Sequence, residues 1–470
     1  MYNSRLLEIF LCLNKKELRE LRKFVNSPFH NQRQDVIELF EYLVRTTRNT
    51  LPDSLSKEKV FRVLYPKESY EEKKIRYAMS FLFKVIQSFL SYQEFTNDPL
   101  LNQKATLQAI RKKRTARLFE KAYLNAQEVL EKSPFRHQSY HLNAYQVQEE
   151  RYLFNSTQNR STPLGLAAAS KQLDRFYVSN KLKHTALALA HQQVNQSDFS
   201  PDFLEEVLQK VEEKKMDWQE PAIVLYYHCV KMLTASDAVP HFTTLRQLLQ
   251  QHHHQFPLPE LREIYTFALN FCIKRLNARE GYFNREAFEL YQEGLAQDVF
   301  FENGMLSRFN YKNIVALGLG LEEFDWVALF IENYKSKLDK KFRESAYYFN
   351  LALLHYKRQN YTEAMELLQK VGTDDVLNNL NARRMLVRIY FDQEQFDPLY
   401  SLLDSFQNYI YRKKELGYHR ELYLNFIKFT RRLLQKEQYS TPQLAKLQAE
   451  IEATKNVAEK NWLLGQLHTR

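Results

Sequence analysis

Eight packing positions recur three times between residues 311 and 406, and that recurrence limits the fold more than any other feature of the chain. In Ser345–Val371 they are Tyr348, Leu351, Ala352 and His355, then Tyr361, Ala364, Leu368 and Val371. Moving forward 35 residues gives Arg383, Leu386, Val387, Tyr390, Phe396, Leu399, Leu403 and Phe406. Moving back 37 gives Tyr311, Ile314, Val315, Gly318, Phe324, Val327, Ile331 and Tyr334. Apart from Arg383, His355 and Gly318, every slot is apolar or aromatic. Within each set of four, the spacing predicts one face of a helix, so each unit reads as helix, short turn, helix. A pair of this size cannot bury its apolar face alone, and successive pairs must stack on one another.

The slot order (large, leucine, small, aromatic, then aromatic, alanine, large) resembles the tetratricopeptide repeat. The likeness is best at Ser345–Val371 and extends over roughly Tyr311–Phe406. A looser unit uses Tyr265, Ala268, Leu269 and Cys272, then Ala287, Tyr291 and Gly294. Two departures stand out: Ala352 replaces the usual glycine, and the family's later proline is missing. The resemblance implies an all-α helical-repeat (TPR-like) solenoid that holds a protein or peptide in its groove. Tyrosine is a favoured interface residue, and Tyr347 and Tyr356 lie on different faces of one helix. Both are candidate contacts, with core packing as the competing reading.

Helical periodicity continues outside these units. Only 9 of 470 residues are glycine, about 2% against a usual level of roughly 7%. Phosphate-cradling loops, tight hairpins and α/β crossovers consume glycine, so a nucleotide-binding α/β enzyme and a β-sandwich are disfavoured, and no two-residue hairpin is expected. Ser200-Pro201 and Thr441-Pro442 read as helix starts, with a capping hydroxyl before proline. Breaks are expected at Phe95–Gln103, Asn155–Pro163 and Gln250–Pro259. The first divides a helical unit over residues 1–95 from a solenoid over 104–470.

The charge is uneven. Residues 1–118 carry 23 Lys+Arg and 13 Asp+Glu, a net of +10, whereas the remaining 352 residues carry +1. Such asymmetry points to an acidic partner or to plain solvated faces. Ser56–Leu64 predicts a short helix and Tyr70–Phe89 a longer one bearing Lys73, Lys74, Arg76 and Lys84. That is the skeleton of helix-turn-helix DNA binding. It resembles winged-helix regulators, except that SYQEFTNDPLLNQ supplies no glycine-containing hairpin for a wing. Arg111, Lys112, Lys113 and Arg114, with Arg117, form a second cluster able to bind phosphates or acidic side chains. A nucleic-acid-associated regulator, with the repeats sensing a partner, is therefore the alternative function. Asn14–Leu90 also resembles the opening of a group of uncharacterised proteins from Bacteroidetes-type bacteria, which implies a cytoplasmic bacterial protein.

No catalytic constellation is evident, and no enzyme, cofactor or metal site is expected. Cys12, Cys229 and Cys272 form neither a CxxC pair nor a disulfide framework. His252-His253-His254 are consecutive, and consecutive side chains rarely converge on one ion. His137 and His141 share a helical face but lack the intervening glutamate of a zinc protease. Gly318-Leu319-Gly320 lacks the third glycine of a dinucleotide loop and reads as packing and turn. No run of about 18 apolar residues is present, so no membrane insertion is expected.

Overall fold

The apolar periodicity is realised as 23 α-helices in a computed structural model that describes residues 1, 3–46, 55–158, 165–195, 200–213, 218–372, 375–413 and 416–468. The chain is all-α apart from one two-stranded ladder among the described residues. It divides into two units, Met1–Thr185 with Pro201–Val224, and Ala186–Ser200 with Leu225–Arg470.

In the first unit, α1 (Arg5–Leu11), α2 (Lys15–Val25), α3 (Gln34–Thr46), α4 (Lys57–Leu64) and α5 (Glu72–Asn97) share one core. Phe10, Phe40 and Phe61 are fully buried there, each adding about 1.5–3 kcal/mol by leaving water. The Asn14 side chain accepts from the Lys16 and Glu17 N–H groups, and Glu17 reaches back to the Asn14 N–H at 2.7 Å, a capping box that fixes the start of α2. Ser56 caps α4. The expected break at Phe95–Gln103 is reduced to Asp98. That residue accepts from the N–H groups of Leu100 and Leu101, while Pro99 opens α6 (Pro99–Lys112). A second apolar cluster joins α6, α7 (Ala116–Glu131) and α8 (Gln138–Gln158), with Phe119 stacked on Phe154 at 3.9 Å. Asn155–Gln158 continue α8, and residues 159–163 of that expected break lie outside the described residues. Then follow α9 (Leu166–Asn195), α10 (Leu204–Glu212) and α11 (Pro221–Thr234). Ser200-Pro201 does not cap α10. Phe203, with a left-handed backbone, occupies that place.

The second unit continues with α12 (Val239–His252), a 3₁₀ turn over His253–Gln255, α13 (Leu258–Asn277) and α14 (Tyr282–Ala296). The Gln250–Pro259 break is thus mostly helical. Strands β1 (Phe301–Glu302) and β2 (Met305–Leu306) form a hairpin that the glycine count argued against. Asn303 and Gly304 both have positive φ, 51° and 76°, and Asn-Gly is the dipeptide that favours a type I′ turn. Next come α15 (Arg308–Gly320), α16 (Phe324–Tyr334), α17 (Arg343–Lys357), α18 (Tyr361–Gln369), α19 (Val376–Asp392), α20 (Phe396–Arg412), α21 (Tyr418–Leu433), α22 (Thr441–Ala453) and α23 (Lys460–His468). The cap of α22 is Ser440, whose N–H donates to Gln443 Oε1 at 2.7 Å, one residue earlier than Thr441-Pro442 suggested.

Helix α15 packs on α16 and α17, and α17 packs on α18 and α19. The turns that close α13, α15, α17 and α19 repeat one geometry. Arg279, Glu322, Gln359 and Glu394 each have φ between 55° and 68°. The residue after each donates its N–H back to Arg275, Gly318, His355 and Tyr390 respectively, at 2.8–3.1 Å. This is the Schellman closure, here without glycine.

Gly318 is a close-approach position. A Cβ there would lie 2.5 Å from Val327 Cγ2 and 3.0 Å from the Phe288 ring, and both neighbours are fully buried. Gly318→Ala is therefore expected to destabilise the second unit by about 1–3 kcal/mol through overpacking, read as a lower urea midpoint at unchanged slope.

Candidate functional site

Helices α15, α17, α19 and α21 bring polar side chains together around a cavity of about 180 Å³. Asp375, buried, caps α19 by accepting from the Asn378 N–H at 3.2 Å and from its Nδ2 at 3.1 Å. The same carboxylate holds Arg308 Nη1 at 2.7 Å, and the guanidinium lies 4.0 Å over the Phe342 ring. Arg308 is thus fixed at the cavity wall. Asn350 is 1% exposed. Its Nδ2 donates to the Ala346 carbonyl at 2.7 Å, as an asparagine inside a helix can, and its Oδ1 has no partner among the described residues. Tyr423 Oη donates to Asn381 Oδ1 at 3.2 Å.

Lys312 supplies the group that stands out. It is half-buried at this cavity, its ammonium 5.9 Å from the Phe349 ring centre, and no carboxylate or hydrogen-bond acceptor pairs with it among the described residues. Burial pushes its pKa below the usual lysine value. Arg384 adds to that, and Asp375 opposes it. A larger cavity of about 570 Å³ lies between α2 and α5, over Phe24, His30 and Tyr92. Its polar groups are mostly exposed, so burial fixes fewer of them.

The residues singled out in the sequence fall in separate places. Lys74 pairs with Glu68, and Arg76 sits 3.1 Å from Glu72, which also holds Lys57 at 2.7 Å. Lys73 stays exposed, 6.0 Å from the Tyr77 ring centre. Arg111 Nε meets Glu150 at 2.5 Å and braces α6 against α8. Lys112 and Lys113 are exposed, and Arg114 takes a left-handed backbone (φ 56°) where α6 ends. Tyr347 Oη donates to Glu332 at 2.6 Å beneath the Lys335 ammonium. Tyr356 packs edge-on against Tyr361 under Arg388. Neither tyrosine lines the Lys312 cavity.

The histidines chosen for metal chemistry are also dispersed. His253 and His254 meet edge-on at 5.7 Å. His141 is buried, its Nδ1–H donating to Gln172 Oε1 at 2.9 Å, and burial lowers its pKa. No group of three His, Cys, Asp or Glu among the described residues is placed to hold a metal ion. A pair that the sequence did not mark is His228 and His241, whose Nδ1 atoms are 3.0 Å apart. At that separation one nitrogen donates and the other accepts, so the accepting ring is neutral. Burial, then the nearby His241, depresses His228 to about 4.

The folded-state value lies below the ordinary 6.5. The stability it contributes is therefore complete above pH 6.5 and lost as pH falls through 4. For this partly exposed ring the loss is about 1–2 kcal/mol. Urea melts of wild type and His228→Gln should diverge across that window, the variant showing the flatter pH profile.

No family model matches the chain, and no match was found among curated proteins or solved structures. No helix among the described residues is long and apolar enough to cross a membrane.

Proposed function

We propose that the second unit is a non-enzymatic, peptide-binding array of tetratricopeptide-like helix pairs, with the Lys312 cavity receiving an anionic group of the partner. The observation that carries this reading is the Lys312 ammonium, half-buried at the cavity with no ion pair or hydrogen-bond acceptor of its own among the described residues. A cation so placed costs folding free energy, and a ligand carboxylate would relieve that cost on binding. The open Oδ1 of Asn350 calls for an N–H donor. A polypeptide offers both an anionic oxygen and N–H groups within one turn of chain. Phe309, largely exposed at the cavity edge, adds apolar contact area. The array itself is supported by the packing of α15, α17 and α19 in sequence and by their shared turn.

The test is a peptide array probed with the labelled full chain. Peptides that bind should carry Asp, Glu or a free terminal carboxylate. Lys312→Met should weaken them by about ten-fold or more, as expected for loss of a charge-assisted contact, without lowering the melting temperature. Binders lacking an anionic group, or an unchanged affinity for the variant, would sink the reading.

A further inference from the structure

Between Lys73 and Gln93 the chain contains no carboxylate, and α5 carries this whole stretch. Positions 73, 77, 80, 84, 88 and 91 recur every three or four residues, so they form one stripe along the helix, roughly 27 Å long. Every residue of the stripe is exposed. It consists of Lys73, Tyr77, Ser80, Lys84, Ser88 and Ser91, with Phe81 beside it. Tyr77 is 54% exposed and Phe81 42%, an unusual expense of aromatic surface on a helix whose other face already fills a core. The ammonium groups of Lys73 and Lys84 stand 6.0 Å and 5.9 Å from the Tyr77 and Phe81 ring centres. No carboxylate pairs with either among the described residues.

The Phe81 ring is also buttressed. Arg33 lays its guanidinium 4.4 Å from the Phe81 ring centre. It is held there by two hydrogen bonds to Asp35, at 3.0 and 2.6 Å, and Tyr65 Oη donates to that carboxylate at 2.5 Å. Asp35 matches the Arg33 charge, so the guanidinium acts as a fixed planar support rather than as a free cation.

We infer that this face of α5 binds single-stranded nucleic acid, with Lys73 and Lys84 on phosphates and Tyr77 and Phe81 as stacking platforms. Charge complementarity favours a polyanion, since residues 1–118 carry a net +10 against +1 for the rest. The rings then select the kind of polyanion. In a duplex the base faces are covered by their neighbours, whereas in a single strand every base presents a π-face for an aromatic side chain. An acidic peptide would satisfy the lysines without using the solvent-exposed surface of Tyr77 and Phe81. Of the four cations the charge run singled out on this helix, Lys73 and Lys84 remain for the ligand, whereas Lys74 and Arg76 are already paired with Glu68 and Glu72.

The experiment is fluorescence anisotropy on the full chain with labelled 20-mers of oligo-uridylate and oligo-thymidylate, a 20-base-pair duplex, and unlabelled poly-glutamate as competitor, at 50 and 200 mM KCl. Single strands should bind in preference to duplex and weaken with salt. Tyr77→Ala with Phe81→Ala should cost about ten-fold per ring with little change in salt slope. Lys73→Gln with Lys84→Gln should lower the affinity and flatten the log–log slope by about 1.4, two phosphate contacts on a single strand. Lys112→Gln with Lys113→Gln should leave binding intact, and circular-dichroism melts of all three variants should match wild type. Absence of binding, tighter binding to duplex, displacement by poly-glutamate at equal charge, or sensitivity only to Lys112 and Lys113 would each overturn the assignment.

Discussion

Arg246→Ala is expected to destabilise the second unit by about 3–5 kcal/mol, the loss that follows when one partner of a buried ion pair is removed. The Arg246 side chain is nearly buried between α12 and α14. Its Nη1 bonds the Glu286 carbonyl and carboxylate at 3.2 and 2.9 Å, and its Nη2 reaches Glu293 at 2.6 Å with Glu289 at 3.7 Å. Three carboxylates on one face of α14 thus depend on a single guanidinium. Without it they repel one another, and the side-chain donors left to them among the described residues are Gln250 Nε2 at 3.0 Å on Glu293 and Tyr282 Oη at 2.5 Å on Glu286. Lysine is no substitute, since one ammonium cannot match the fork that spans Glu286 and Glu293. Combining Arg246→Met with Glu286→Gln and Glu293→Gln should recover much of the loss, because the stranded charges then disappear. Urea unfolding of the three proteins decides the point, and an Arg246→Ala midpoint close to wild type would refute it.

Asp375→Ala is expected to cost about 3 kcal/mol. Roughly 1 kcal/mol comes from the lost cap of α19, and the rest from leaving the half-buried Arg308 without its partner. Asp375→Asn keeps an oxygen for the Asn378 N–H but not the charge, so it should recover about 1 kcal/mol of the loss. The two variants also separate stability from binding. Both release Arg308 from the cavity wall, so both should weaken the anionic peptides that Lys312 holds, while only the alanine variant frays the start of α19. Hydrogen exchange of the Asn378 and Asn379 amides reports that fraying directly.

The all-α class was readable in the apolar periodicity, and so were many of the buried slots. Tyr311, Ile314, Val315, Val327, Ile331, Ala352, Ala364, Leu368, Val387, Leu399, Leu403 and Phe406 are all buried. Phe396 differs. It opens α20, remains 45% exposed and meets the edge of Phe391, whereas Phe324 and Tyr361, which open α16 and α18, are half-buried. The hairpin was missed: glycine scarcity argued against it, and two-residue strands leave no alternation to flag the Asn303-Gly304 turn. The Lys312 cavity was not readable either. Arg308, Lys312, Asn350, Asp375 and Asn381 span more than 70 residues and come from three helices and a cap, each alone an ordinary polar residue on a helical face. Charge counting has a similar limit. It finds Lys74, Arg76 and Arg111 but cannot see Glu68, Glu72 and Glu150 folded against them. The acid-free stretch from Lys73 to Gln93 lay open to inspection, yet only exposure shows that its rings face outward.

The turns that close α15, α17 and α19 bear on how such a chain changes its length over time. Glu322, Gln359 and Glu394 lie 37 and 35 residues apart and share one backbone conformation and one closing hydrogen bond. A crossover between the coding segments of any two of them deletes or duplicates whole helix pairs. It rejoins the chain at a residue that already has the required φ, so no new loop has to be invented. A lineage of such proteins would be expected to differ by helix pairs, with their junctions clustered at these turns.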